Sequence, residues 1–488
     1  MSEQLQWDSN LAFILAMIGA AVGLGNIWRF SYVLYSNGGG SFFIPYLIAI
    51  FIMGIPFLIL EYGLGFSFRD SFSHLLKSIN PRFEYIGWLV VLCVFLVACY
   101  YVVIIAWDLI YFISSFTFSW GADPTIYFTN CVGGSSDFSH ATTFIVPTVL
   151  SVIAIWAIIW IVSHKNLEEG IGKISKILIP ALFVMMFIII IYAFSLPGHM
   201  IGIDNLIRPN WSTLLDINIW IGAFAQILFS LSMGQAISYT YASYLPKDSK
   251  FTNDIFLVVA ANSLFEIFTA FGVFSVLGYM SLHSGIPLHK LVSEGTGLVF
   301  EVFPTIFNIM GPFARILAPL LFLAILFAGI TSALGIFEPM LSSTSHKFNL
   351  SRKKATTILS IIGCLISLTL TSDIGSYLVG NIDMFINQFE ILLLISLQCV
   401  IFTWFYKVED LIPIINEHGY INVSRRWVVI IKYILPILIF VMWLYGVYDL
   451  FINATAFELY LDISIFIVVT VVAFILTKIK PKESEISN

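Results

Sequence analysis

Long apolar runs recur from one end of this sequence to the other, among them Leu47–Leu60, Ile86–Phe118, Phe144–Val162, Ile177–Phe194, Phe256–Met280 and Ile316–Ile336. A helix needs roughly 20 apolar residues to cross the hydrocarbon of a bilayer. A transmembrane barrel would instead show segments of about ten residues alternating in polarity, and no such alternation is evident. The runs predict an all-α integral membrane protein of twelve transmembrane helices: α1 at 10–35, α2 at 41–69, α3 at 86–118, α4 at 143–163, α5 at 172–195, α6 at 217–244, α7 at 252–281, α8 at 312–345, α9 at 354–371, α10 at 376–406, α11 at 426–449 and α12 at 457–478. The stretches between them are short, and 282–311 carries apolar residues that suit a re-entrant or capping hairpin.

Composition agrees with this picture. The 488 residues are 59% hydrophobic and 11% charged, where soluble domains carry about 25% charged residues, so the apolar excess must face lipid. The placement of charge adds an orientation. With the N-terminus inside, the inner loops collect Arg69, Lys77, Arg82, Lys165, Lys247, Lys250, Lys347, Arg352, Lys353, Lys354, Lys407, Arg425 and Arg426, and the outer loops only Arg208 and Lys290. The positive-inside rule then puts both termini in the cytoplasm of a multi-pass protein of the cell membrane. No cleavable signal peptide is expected, since the N-terminus lacks a basic leader. Cys93, Cys99, Cys364 and Cys399 fall in predicted helices and Cys131 alone in a loop, so no disulfide framework is implied. Nothing resembles a nucleotide-binding loop, a metal cluster or a nucleophile–base pair. The chain is not expected to be an enzyme, an ATP-driven pump or a nucleic-acid partner.

Two helices carry interruptions where a lipid-facing helix would place Leu or Ile. Helix α1 reads Gly19-Ala-Ala-Val-Gly-Leu-Gly-Asn-Ile-Trp-Arg29, and α6 reads Ser230-Leu-Ser-Met-Gly234-Gln235. Glycine costs up to about 1 kcal/mol per helical position. Small residues also serve close helix packing, but Asn26, Ser230, Ser232 and Gln235 bring polar groups to the same depth. Discontinuous helices at matching positions of two halves point to a transport site, because unwound backbone offers carbonyls to a cation and helix N-termini to an anion.

The series Trp7, Gly19 through Phe30, Asn37-Gly-Gly-Gly-Ser-Phe-Phe-Ile-Pro-Tyr46, Gly54-Ile-Pro56, Glu61, Tyr100-Tyr101, Tyr241-Ala-Ser-Tyr244, Ala328-Gly-Ile-Thr-Ser332 and Ser351-Arg-Lys353 resembles the signature of the neurotransmitter:sodium symporter family. The resemblance spans α1 to α9. It implies a LeuT-type 5+5 inverted repeat with α1 and α6 broken: residues 1–9 a cytoplasmic N-terminus, 10–195 the first inverted repeat, 217–406 the second, 426–478 the two added helices, and 479–488 a cytoplasmic tail. It implies a sodium-coupled secondary active symporter working by alternating access, monomeric or homodimeric. Two Na+ ions would bind, the first (Na1) at Ala21, Asn26, Ser230 and Asn262, the second (Na2) at Gly19, Val22, Ala328, Thr331 and Ser332.

In animal members of that family a bound chloride supplies negative charge beside the first sodium. An acid replaces it in bacterial members, and Glu266 stands at that position near Tyr46, Gln226 and Ser230, so no chloride requirement is expected. Gly23 stands where amine-carrying relatives place an Asp, which leaves room for a substrate carboxylate reaching Leu24, Gly25 and Tyr101. The substrate amine would meet Ala21, Phe229, Ser230 and Ser232, and its side chain Val97, Phe229, Gln235, Ser332 and Ile336. A neutral α-amino acid is the expected small-molecule cargo. An amine or osmolyte carrier of the same fold, a channel, and a sensor that binds without transporting are the rivals.

The resemblance also implies gates. Outside, Arg29 and Asp383 match an ion-pair gate, with Tyr101 and Phe229 as the lid beneath it. Inside, Gln4 and His346 stand where the family pairs an Arg with an acid, so closure is expected to rest on Trp7 against Ser243, Tyr244 and Glu338. Such a latch would be weaker by about 1 kcal/mol for the lost exposed ion pair, and would open inward more readily. Glu390 in α10 has no family counterpart and reads equally as a functional acid or a packing residue.

Overall fold

The computed structural model describes residues 5–135, 143–292 and 295–480. Gln4 and residues 481–488 of the tail lie outside the described residues. Among those described there is no strand, only an isolated bridge between Phe144 and Ser372.

Helix α1 is two pieces, α1a Asn10–Ala21 and α1b Gly25–Ser36, and α6 is likewise α6a Ile217–Ser230 and α6b Ile237–Ser243. The others run continuously: α2 Gly39–Phe68, α3 Pro81–Ser114, α4 Val146–Ser163, α5 Glu168–Ser195, α7 Phe251–Ser284, α8 Ala314–Phe348, α10 Gly375–Phe405, α11 Arg425–Asn453 and α12 Ala456–Lys478, with α9 at Arg352–Leu368. Local chemistry sets several ends. The Ser9 hydroxyl caps α1a by accepting from Ala12 N at 3.3 Å, α7 stops at Gly285 with φ 68°, and Thr455 and Glu458 form a capping box at the start of α12.

By length and apolarity, nine helices among the described residues qualify as spans, ten if the bent α1 pair counts as one. The twelve expected from sequence exceed this for physical reasons. Helix α6 is divided into pieces of 14 and 7 residues, and α9 has 17 residues that begin with Arg352, Lys353 and Lys354.

Helices α3 and α8 form the centre, packed against each other and buried on nearly all sides. Helix α1a lies on α8 and α5, α6b on α2, and α1b on α7. The outermost helices, α11 and α12, leave Ile437, Phe451, Ile467 and Phe474 exposed, the apolar surface a lipid environment accepts. Within 282–311 the helix Leu298–Ile309 buries Phe300 against Phe128, ring centroids 5.7 Å apart and nearly parallel at 8°, and against Trp107 and Tyr111 of α3. It caps the end of α3 rather than crossing.

Candidate functional site

The axes of α1a and α1b differ by 53°. Backbone groups released by this break find partners close by. The Asn26 side chain turns back to accept from Gly23 N at 3.0 Å, and the Tyr101 hydroxyl of α3 accepts from Leu24 N at 3.0 Å. The carbonyl of Ala20 receives the hydroxyls of Ser232 and Ser332, each at 3.3 Å.

The α6 break is more contorted. Ser232, Gly234 and Ala236 have φ of 50°, 71° and 59°, a left-handed region that only glycine enters freely. Gly234 is required for space as well, since a Cβ there would lie 2.1 Å from Ile395 Cγ1. Broken backbone inside a membrane must be satisfied by the protein itself. Gly234 N donates to Glu61 Oε1 of α2 at 3.2 Å, and Gln398 Nε2 of α10 donates to Gly234 O at 2.8 Å. In sequence Glu61 stands out only as a motif residue, and no local pattern marks Gln398.

Between the breaks lies a cavity of about 300 Å³ bordered by every expected substrate residue: Ala21, Gly23, Leu24, Gly25, Val97, Tyr101, Phe229, Ser230, Ser232, Gln235, Ser332 and Ile336. At Gly23 a Cβ would lie 2.9 Å from the Tyr101 hydroxyl and 3.2 Å from Ser332 Oγ, so even a methyl group presses on the cavity wall. Trp107 and Asn387 also border it; neither was singled out from sequence, although Asn387 sits one helical turn from Asp383.

Of the residues expected at the first sodium site, Asn26, Ser230 and Asn262 form one buried polar cluster, and Ala21 borders the cavity beside it. Asn26 Nδ2 donates to Asn262 Oδ1 at 2.8 Å and to Ser230 Oγ at 3.3 Å, and Asn262 Nδ2 donates to Ser230 Oγ at 2.5 Å. Glu266 sits against it, fully buried. Its Oε2 accepts from Ser230 at 2.9 Å, Gln226 at 3.0 Å and Asn26 at 3.3 Å, and its Oε1 accepts from the Tyr46 hydroxyl. Amide and hydroxyl oxygens are the hard donors an alkali cation takes, and the Glu266 carboxyl lies one layer out.

At the second set, Thr331 Oγ1 donates to Phe327 O at 2.9 Å and Ala328 O at 3.1 Å. A Cβ on Gly19 would lie 3.0 Å from Thr331 Cβ, which places α1a directly beside α8 here. Val22 leaves helical backbone at φ −76°, ψ 94°.

The two ends of the bundle are built differently. At the end expected outside, the Arg29 guanidinium lies 4.5 Å over the Phe229 ring, and Asp383 Oδ1 accepts from Tyr100 at 2.6 Å and Asn387 at 2.7 Å. Arg29 and Asp383 border the same cavity. At the opposite end Trp7 is buried, donating from Nε1 to Tyr241 O at 2.9 Å and from its backbone to Tyr244 O at 3.0 Å. Ser243 is buried in the same turn, and the Tyr244 hydroxyl donates to Glu338 Oε1 at 3.1 Å.

Charged and imidazole side chains also meet at this end. Arg352 grips Glu338 with both terminal nitrogens, at 2.5 and 2.8 Å, and His346 lies 2.8 Å from Asp70. Glu390 accepts from the Cys93 thiol at 3.1 Å, so this buried acid has a packing partner.

A model of the sodium:neurotransmitter symporter family matches residues 4–478. The chain belongs to this family. Similar proteins include an uncharacterized sodium-dependent transporter of Methanocaldococcus jannaschii, 39% identical over 90% of this chain and 89% of the relative. A sodium-dependent dopamine transporter of Caenorhabditis elegans is 28% identical over 86% and 77%. As a sodium:neurotransmitter symporter the chain is a multi-pass membrane transporter, not an enzyme, and its partners are small molecules and the lipid bilayer.

Proposed function

We propose that this symporter carries a neutral α-amino acid into the cell with two sodium ions, by alternating access and without chloride. Both termini are then cytoplasmic in the cell membrane, and 10–195 and 217–406 are the two inverted repeats. The observation that carries the reading is the convergence at the α1 break: Gly23 opens onto the cavity beside the Tyr101 hydroxyl, and Asn26 joins the same break to the Ser230–Asn262–Glu266 cluster. A carboxylate placed over Gly23 would meet Tyr101 and the first sodium together. The dopamine carried by the nematode relative has an amine and no carboxylate, and no acid occupies position 23 to receive one. Glu266 supplies the negative charge that a chloride would otherwise bring, held by Tyr46, Gln226 and Ser230. One charge moved through 100 mV yields about 2.3 kcal/mol and each tenfold sodium gradient about 1.4 kcal/mol, enough for steep accumulation.

The test is thermal unfolding of the purified protein against a panel of amino acids and monoamines, with Na+ or K+ and in chloride-free buffer. A ligand that binds only the folded state raises Tm. Neutral amino acids should do so with Na+ alone, and proteoliposomes should then accumulate the same compound down a sodium gradient. Stabilisation by monoamines only, or only with chloride, overturns the reading. Stabilisation without uptake would make the chain a sensor.

A further inference from the structure

The Trp7 end of the bundle opens into a second cavity, of about 1140 Å³, bordered by Asp8, Arg69, His74, Glu168, His346 and Arg352 among others. Helix α2 ends at Arg69, whose φ of 53° turns the chain. Asp70 then precedes a short helix, Phe72–Ile79, and accepts from Ser71 N at 2.6 Å. His74 lies four residues beyond Asp70, in the first turn of that helix, and His346 arrives from the last turn of α8. Asp70 Oδ2 is 2.5 Å from His74 Nδ1, and Oδ1 is 2.8 Å from His346 Nδ1. The two imidazoles stack with centroids 4.4 Å apart, and the three ligand atoms lie within 4.8 Å of one another. Both histidines are about two-fifths exposed, 43% and 44%, so an ion can reach them from the cavity.

We propose that Asp70, His74 and His346 form a site for a divalent transition ion of the zinc type, which clamps the end of α2 to the end of α8. Two imidazoles and a carboxylate are the donors such an ion prefers, whereas sodium takes oxygen alone. Three protein ligands leave a coordination position for water, supplied by the open cavity. The cations around the site are already engaged. Lys77 and Lys347 hold Glu84 at 3.0 and 2.5 Å, Arg352 holds Glu338, and Arg69 donates to Leu245 O at 2.7 Å.

The connectivity gives the clamp a consequence. Through Arg69 and Leu245 the end of α2 is fastened to the chain just after α6b, which in turn holds Trp7. Helix α8 carries Glu338, which accepts from the Tyr244 hydroxyl, next to Leu245, and from Arg352 at the start of α9. An ion bridging Asp70 and His74 to His346 adds a bond between these two groups of elements, beside the contacts that close this end. The bound ion holds the mouth shut and slows transport from the side it occupies.

The test titrates Zn2+ into the EDTA-stripped, full-length protein by isothermal titration calorimetry, in the absence of amino acid. One site per chain is expected. Its affinity should fall at least about tenfold in His74→Ala and in His346→Ala, and stay unchanged in His199→Ala, which lies away from the cluster. A wild-type protein that takes up no Zn2+, or one whose affinity survives both substitutions, overturns the site. Each variant reads alone if the other fails to fold. In proteoliposomes, Zn2+ on the Trp7 side should slow sodium-driven uptake by the wild type and not by His74→Ala; uptake indifferent to bound Zn2+ overturns the clamp. The calorimetry needs no transport, so its outcome stands apart from that of the proposed function.

Discussion

The α1 and α6 breaks present nearly the same signal in sequence, glycine and hydroxyl residues inside an apolar run, yet different parts of the molecule hold them open. At α1 the freed amides go to Tyr101 and Asn26, both of which border the cavity between the breaks. At α6 the Gly234 amide goes to Glu61 and the Gly234 carbonyl accepts from Gln398; these two come from α2 and α10 and do not border the cavity. The α1 break is thus shaped by groups that would touch cargo, and its geometry should answer to what the cavity holds. The α6 break is fixed by the surrounding helices and should be indifferent. Mutations on the two sides ought therefore to separate stability from binding.

The largest effect belongs to the α6 side. Gly234→Val puts branched carbons where a single Cβ already meets Ile395 Cγ1 at 2.1 Å, at a φ of 71°. Overpacking and backbone strain together should cost at least about 3 kcal/mol, read as a large fall in Tm or loss of monodisperse protein, equal with and without Na+. Next, Gln398→Ala strips the Gly234 carbonyl of its donor. An orphaned buried acceptor costs about 1–3 kcal/mol. Tm should fall, while the further rise in Tm that Na+ and amino acid produce stays as in the wild type. A changed ligand response in Gln398→Ala would break the contrast between the two regions.

How far these differences could be read from the chain follows from the same contrast. The run of apolar residues placed the helices well, as with α2, expected at 41–69 and found at Gly39–Phe68, because crossing a bilayer sets a length that composition records directly. Most residues that border the cavity were legible through the family resemblance, Ile336 among them. Contacts between helices distant in sequence were not. Gln398 reaches back 164 positions to Gly234, and Arg352 finds Glu338 across the turn between α8 and α9. Neither pairing leaves a periodic trace. His346 shows the limit from the other direction: as a motif position it reads as a lost acid, but in space it faces Asp70 and His74, a juxtaposition made only when α2 ends beside α8.

On the α1 side, effects on stability should shrink and effects on binding grow. Tyr101→Phe removes the acceptor of Leu24 N–H, one hydrogen bond, worth about 1 kcal/mol of stability. If the same hydroxyl receives the substrate carboxylate, the concentration for half-maximal stabilisation by amino acid should rise about tenfold, the equivalent of about 1.4 kcal/mol. A Tyr101→Phe protein that loses stability but keeps its affinity would make α1 resemble α6 after all.

The smallest effect on the fold, and the sharpest test of the comparison, is Gly25→Ala. Gly25 opens α1b, and a Cβ there meets nothing within 4 Å, so the methyl group fits without strain. Alanine in place of glycine favours a helix by up to about 1 kcal/mol, less in the first turn, and Tm should stay level or rise slightly. The added methyl nevertheless enters a residue that borders the cavity, close to where the carboxylate would sit against the N-terminus of α1b. Affinity should fall while stability does not, the reverse of Gln398→Ala. Measured side by side in one sodium-dependent unfolding assay, the two variants set a break held open for cargo against one held open by the scaffold.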